Sequence, residues 1–196
     1  MLQNCDCNND DKSEKETSNI TNEMLKTRSI LVSEDITDKT AKSVITQVLI
    51  LNQRSETEHI TVYVNSPGGS ADSGMAIYDI LKFSTAPIRT VAIGLCGSAA
   101  VTVFMGAGAG QHFCTPNTRF LLHQPSTGIQ GDASDISITA DEIEQVRRRY
   151  NEIVAGVTGK TVEQVTKDAD RDFWMSAEQA LEYRLVSKII RTKSDW

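Results

Sequence analysis

Short β-branched runs, each closed by a turn signal and followed by a helical pattern, set the frame of this chain of 196 residues. His59-Ile-Thr-Val-Tyr-Val-Asn65 is β-branched and aromatic and reads as a strand, stopped by Ser66-Pro-Gly-Gly69. Ser70 or Asp72 then opens a helix through Phe83. Upstream, Ser29-Ile-Leu-Val32 reads as a strand, and the stretch after Asp35 as a helix through Leu51, with Ala41, Val44, Ile45, Val48, Leu49 and Leu51 on its apolar face. Downstream, Thr90-Val-Ala-Ile93 is a strand, Ser98 begins or immediately precedes a helix, and Phe113-Cys114 and Arg119 to His123 read as extended. This alternation predicts an α/β architecture.

Beyond His123 the pattern changes. Pro125-Ser-Thr-Gly-Ile-Gln-Gly131 is turn-rich, and Ser134 to Val157 then carries Ile143, Val146, Tyr150, Ile153, Val154 and Val157 at helical spacing. Such a stripe packs a core or buries against another subunit. Gly159 ends it, and shorter helices near Thr161 to Ala169 and Ser176 to Tyr183 precede a last strand, Val186 to Ile190. The length fits one core, placed over residues 23–196. Residues 1–22 are a polar arm of Asn, Asp, Lys, Glu, Ser and Thr, too poor in apolar groups to offset the entropy of ordering, and are expected to be mobile.

Charge and cysteine usage narrow the function. A net charge of −6 argues against nucleic-acid binding, which needs clustered positive charge, and Arg147-Arg-Arg149 lies among Glu142 and Glu144 in a helical pattern. Cys5, Cys7, Cys96 and Cys114 form no C-x-x-C pair, and the Cys5-Asp-Cys7 spacing without a later Cys/His cluster is weak evidence for a metal site. No opening segment resembles a signal peptide, and no apolar run reaches the roughly 18 residues of a membrane span, so a cytoplasmic setting is expected.

Chemistry centres on Gly94-Leu-Cys-Gly-Ser98-Ala-Ala, a hydroxyl among small residues directly after an apolar strand. A serine there either caps the next helix or is presented as a nucleophile. A nucleophile needs a base. Of the three histidines, His59 and His112 read as exposed polar residues, whereas His123 closes Phe120-Leu-Leu122 at a strand end, where open α/β sheets place their ligands. A carboxylate to hold the imidazole is offered by Asp168, Asp170 and Asp172, and spacing does not choose among them. Pro67-Gly-Gly69 brings bare amides close to a ligand, and the Ala99 N–H opens the helix after Ser98.

Tyr63-Val-Asn-Ser-Pro-Gly-Gly69, Gly74-Met-Ala-Ile-Tyr-Asp79, Gly94-Leu-Cys-Gly-Ser98, Pro116-Asn-Thr-Arg119, His123-Gln-Pro125, Gln130-Gly-Asp-Ala-Ser-Asp135-Ile and Asp170-Arg-Asp172 with Met175-Ser-Ala-Glu178 follow in order along most of the chain. Together they resemble the ClpP family of chambered serine peptidase subunits. The resemblance implies a ClpP/crotonase-type spiral of β-β-α units with a protruding handle helix. It implies Ser98 as nucleophile, His123 as base and Asp172 as its carboxylate, with oxyanion-hole amides at Gly69 and Ala99. Ser70, Gln124, Pro125 and Gly128 would line the groove for an unfolded polypeptide, and Asp170 with Arg171 would join two heptameric rings into a tetradecamer. No cofactor is implied, and the partner is a separate Clp-type ATPase unfoldase.

The chain departs from the family pattern at Ala99, where Met is common, at Thr102, where an aromatic is frequent, at Thr61, commonly Tyr, and at Arg184, which replaces a helix-terminal Gly. The axial segment usual before Thr27 has no clear counterpart. These departures motivate a second reading, a weakly active structural or regulatory subunit that assembles with an active ClpP paralogue. A third, a crotonase-like acyl-CoA enzyme, shares the fold and the paired amides but lacks a recognised acid/base Glu pair.

Overall fold

The computed structural model of the chain describes residues 19–126 and 128–196. The first 18 positions of the polar arm therefore lie outside the described residues; residues 19–26 are helical (α1). The strands are β1 (Ser29–Val32), β2 (Ile60–Ser66), β3 (Ile88–Gly97), β4 (His112–Cys114), β5 (Arg119–Leu122), β6 (Phe173–Ser176) and β7 (Lys188–Ile189). The helices are α2 (Asp38–Arg54), α3 (Ala71–Phe83), α4 (Ala99–Phe104), α5 (Ala133–Thr158), α6 (Val162–Asp168) and α7 (Ala177–Glu182).

A parallel sheet runs β1-β2-β3-β4-β7, and β5 leaves this path by pairing with the far end of β3. Ile60, Val62 and Val64 are fully buried, as expected for a parallel strand covered by helices on its faces. β3 is the longest strand and serves two neighbours. Thr90 to Ala92 pair with β4, and Leu95 to Gly97 pair with β5. Between the two halves the register with β2 slips, Val64 opposing Ala92 and Ser66 opposing Cys96. Gly94 takes φ 68 in this bulge, and the Asn65 side chain accepts the Leu95 N–H at 3.2 Å. The strand expected over Thr90 to Ile93 thus continues through Gly94-Leu-Cys-Gly97, bent and carried on to the edge of Ser98.

α4 is the innermost helix. All six of its residues are buried, and Thr90 Oγ1 donates to the Phe104 carbonyl at 2.8 Å, fastening its last turn to β3. α3 packs on α2 and on α4, and a Cβ on Gly74 would lie 3.1 Å from the Ala99 Cβ, so this glycine sets the closeness of α3 to α4.

α5 has two parts. Tyr150, Asn151, Val154, Ala155 and Thr158 are buried, whereas almost every residue before Tyr150 is exposed or half-buried, including Ile136 and Ile138. The ten residues Ala133 to Glu142, about 15 Å of helix at a rise of about 1.5 Å per residue, therefore stand away from the body. This is the protruding helix expected from sequence.

Between the two short helices, where the sequence predicts no strand, Phe173–Ser176 forms β6, antiparallel to β5. The final strand, expected over Val186 to Ile190, keeps only Lys188–Ile189. No helix among the described residues is long and apolar enough to cross a membrane.

Candidate active site

Three strand ends meet at one edge of the sheet. Gly97 pairs with Leu121 at the end of β3, and the Ser98 N–H donates to the Leu121 carbonyl at 2.9 Å. β5 continues through Leu122 to His123. The antiparallel ladder with β6 ends at Leu122 opposite Phe173, so His123 directly follows and Asp172 directly precedes the last paired residues. The backbone thus brings the ends of β3 and β5 and the start of β6 side by side.

Ser98 occupies φ 52, ψ −126, a conformation that a residue with a Cβ adopts only under constraint. It precedes α4 directly, yet its side chain makes no capping hydrogen bond. The helix-cap alternative therefore fails, and the hydroxyl has no hydrogen-bond partner among the described residues on this strained strand-to-helix turn. Cys96, two residues earlier, is fully buried and burial pushes its thiol pKa far up; Cys114 rises to about 12 for the same reason. Neither sulfur supplies a thiolate near neutral pH.

The amides beside Ser98 are set by the Gly68-Gly69 turn. Ile36 bridges to Gly69 by donating its N–H to the Gly68 carbonyl at 2.8 Å and accepting from the Ser70 N–H at 2.8 Å. This leaves the N–H of Gly69 itself on the opposite side, away from Ile36. Gly68 and Gly69 have φ 109 and 145, and a Cβ on Gly69 would fall 2.3 Å from the Ile36 carbonyl oxygen. Glycine is required there. The Ala99 N–H begins α4 and has no acceptor within the helix.

A cavity of about 230 Å³ joins these groups, with Gly69, Ser70, Ser98, Ala99, His123 and Pro125 in its wall. Among the described residues no hydrogen bond links Ser98 to His123 or His123 to Asp172. Asp172 is exposed and lies outside the cavity wall. Its two rivals are engaged elsewhere. Asp168 accepts from the Tyr183 hydroxyl at 2.8 Å and from Gln164 at 2.7 Å. Asp170 pairs with Arg147 at 3.4 Å and loosely with the highly exposed Arg171 at 3.9 Å.

The remaining expected groove residues separate. Ser70 caps α3 by accepting the Ser73 N–H at 3.2 Å while also facing the cavity. Gln124 instead donates to the Asp170 carbonyl at 2.9 Å, tying the segment after β5 to the turn before β6. Gly128 is exposed and not part of the cavity wall. The wall also contains Met75, Val146 and Tyr150, none of which was singled out from sequence as a site residue. The sign that could have found Tyr150 is a phenol within an apolar stripe, because a buried hydroxyl needs a partner. No group of three or more His, Cys, Asp or Glu side chains among the described residues is placed to hold a metal ion.

A free hydroxyl on a strained turn, an imidazole in the same cavity and two unengaged amides suit acyl transfer, and with the fold they define a serine-type peptidase. Comparison with known proteins narrows the class: the Clp protease family model matches residues 11–193, and the chain belongs to that family. It is 43% identical over 172 residues to ATP-dependent Clp protease proteolytic subunit 3 of Rhizobium etli, covering 88% of each chain. It is 39% identical over 171 residues to proteolytic subunit 2 of Treponema denticola, covering 87% of this chain and 86% of that one. Among solved structures, a mutant ClpP1 from Listeria monocytogenes superposes with a TM-score of 0.82 at 35% identity, over 89% of this chain and 98% of its own.

Proposed function

We propose that the chain is an endopeptidase subunit that cleaves unfolded polypeptides through an acyl-enzyme on Ser98. The reading rests most on one observation: the β3, β5 and β6 registers converge the ends that carry Ser98, His123 and Asp172. His123 takes the hydroxyl proton as Ser98 Oγ attacks the peptide carbonyl carbon, and the resulting oxyanion accepts from the N–H groups of Gly69 and Ala99. His123 then returns the proton to the leaving amine, which departs as the ester forms. Water, deprotonated by the same imidazole, hydrolyses the ester and restores Ser98. Asp172 holds the imidazole tautomer and stabilises its cation. Ser70 and Pro125 border the bound chain, with Gln124 and Gly128 further along it. The three groups are adjacent but unjoined at rest, and substrate or assembly draws them into contact.

The finer assembly is part of the proposal. The projecting portion of α5 presents Ile136 and Ile138 for pairing with another copy, supporting heptameric rings stacked as a tetradecamer, with Asp170 and Arg171 at the ring junction. The relatives are named as ATP-dependent, which supports a Clp-type ATPase as supplier of unfolded chains. The free, buried Cys96 and Cys114 suit a reducing, cytoplasmic setting. A fluorophosphonate is expected to label the assembled protein at Ser98 and not to label Ser98→Ala. An assembled particle that is neither labelled nor cleaves an unfolded protein overturns the reading.

The absence of joined side chains, together with Ala99 and Thr102 beside the nucleophile, favours one alternative, a weakly active subunit that assembles with an active paralogue. Mixing Ser98→Ala protein with that paralogue separates the two. Proportional loss of activity supports catalysis on this chain, and unchanged activity supports a scaffold.

A further inference from the structure

The cavity extends past the reacting groups, between α3, α4 and α5, where Met75, Ala99, Thr102 and Val146 line it. Among the described residues no Lys, Arg, Asp or Glu stands in its wall. Thr102 lies one helical turn beyond Ser98 and is 2% exposed. Elsewhere the helical threonines Thr46, Thr139, Thr158 and Thr166 each donate the hydroxyl to the carbonyl four residues back, at 2.8 to 2.9 Å. For Thr102 that carbonyl is the one of Ser98. At ψ −126, far from the helical value of about −42°, it is turned off the line of the helix and accepts the Val101 N–H at 2.9 Å instead. The Thr102 hydroxyl is thus left without a hydrogen bond among the described residues. Nor is it enclosed, because the fully shielded side-chain polar atoms that lack a partner belong to Arg89, His112 and Tyr150. The part of Thr102 that stays accessible therefore includes its hydroxyl, and the space it meets is the cavity that holds Ser98.

We propose that Thr102 makes this recess a specificity pocket for a neutral amide side chain, that of Gln, on the residue whose carbonyl Ser98 attacks. This rests on the peptidase reading above. The side chain of that residue branches one bond from the reacting carbon, so it is the part of the substrate that enters a recess opening beside Ser98. One helical turn, about 5.4 Å, separates the levels of Ser98 and Thr102, a span that the extended side chain of Gln bridges. Met75, Ala99 and Val146 pack against its methylene groups. Its amide meets the Thr102 hydroxyl, which donates to the amide oxygen or accepts from the amide N–H. An apolar side chain of like length fills the same space but strips water from the hydroxyl and returns no partner, and that difference sets the preference. A charged side chain is disfavoured because the wall offers it no counter-charge.

The test compares two otherwise identical peptides, with Gln or Met before the scissile bond, on the wild-type assembly, on Thr102→Val and on Thr102→Ser, alongside fluorophosphonate labelling of Ser98. Val keeps the branched shape and loses the hydroxyl, whereas Ser keeps the hydroxyl. The ratio of kcat/KM for Gln over Met is expected to exceed one in the wild type and to fall about five-fold in Thr102→Val, the size typical of one hydrogen bond. In Thr102→Ser it is expected to stay within about two-fold of the wild-type ratio. A substitution that only loosened α4 would slow both peptides together and leave the ratio in place. If Ser98 is labelled and both peptides are cut, yet the wild-type ratio is one or below, or is unmoved by Thr102→Val, the pocket assignment is wrong while the peptidase reading stands. If Ser98 is not labelled and neither peptide is cut, both fall.

Discussion

A Cβ placed on Gly68 would lie 2.6 Å from the Cβ of Ser98 and 2.7 Å from the Gly97 carbonyl oxygen. The turn after β2 and the turn after β3 therefore touch backbone to side chain, each holding the other in place. Gly68→Ala is expected to displace Ser98 and reduce peptide hydrolysis at least a hundred-fold, and to cost about 2–4 kcal/mol of stability from the clash together with φ 109. Hydrolysis rates and denaturant titration check it. A fully active, equally stable variant would show that the two turns move independently.

Asp172 carries no hydrogen bond or ion pair among the described residues and is exposed, so its carboxylate contributes little to the resting fold. Asp172→Asn is expected to lower kcat by two to four orders of magnitude, the range seen when an imidazole loses the carboxylate that orients it. Its melting temperature is expected to stay within about 2 °C of the parent. Hydrolysis at the wild-type rate would remove Asp172 from the mechanism.

His112 is 3% exposed, sits edge-on to the Phe104 ring at 5.6 Å, and has a ring nitrogen without a partner among the described residues. Burial first, with the Lys82 charge adding to it, lowers its pKa from 6.5 to about 4. The folded state thus favours the neutral ring more than the unfolded chain does. The stability this brings is whole above pH 6.5 and is lost as pH falls toward 4, by roughly 3 kcal/mol. Denaturant titrations at pH 7 and pH 4 are expected to show that loss in the parent and much less in His112→Leu. Equal losses would place the acid sensitivity elsewhere.

Arg184 takes φ 66 after α7, where the Leu185 N–H donates back to the Ala180 carbonyl at 2.9 Å. A side chain in this left-handed position costs about 1 kcal/mol, as expected if the backbone keeps the geometry of the glycine it replaces. Arg184→Gly is expected to raise the melting temperature by about 2–4 °C. Calorimetry decides, and a drop would mean that the arginine side chain compensates for its backbone.

Ile136 and Ile138 are 41% and 62% exposed on the projecting part of α5. Changing both to Asp is expected to leave the circular dichroism spectrum intact while shifting particle mass by sedimentation to smaller species. An unchanged particle would mean that the helix is not the joint between copies.

Much of this arrangement is legible in local sequence. The strand His59 to Asn65, its Pro-Gly-Gly stop and the helix capped by Ser70 carry their signals within a few residues, and the structure follows them. What stayed hidden depends on distant partners. Gly94 and Gly97 interrupt the apolar run, and distant partners make that stretch a bent strand: β5 pairs with Leu95 to Gly97, and the Asn65 side chain satisfies the Leu95 amide. Phe173-Trp-Met-Ser176 follows a charged run and reads as loop, because what makes it a strand is pairing with Arg119 to Leu122 far back in the chain. Tyr150 reads as one more core residue of its stripe. Its unpaired hydroxyl emerges only when α5 is laid against α4.

Among the described residues β6 hydrogen-bonds to β5 and to no other strand. Asp172 thus adjoins the outer ribbon of the sheet, while Ser98 and His123 follow strands further in. If these three groups act together as proposed, a shift of β6 along β5 alone would part the carboxylate from the imidazole and leave the parallel pairing of β1 to β4 untouched.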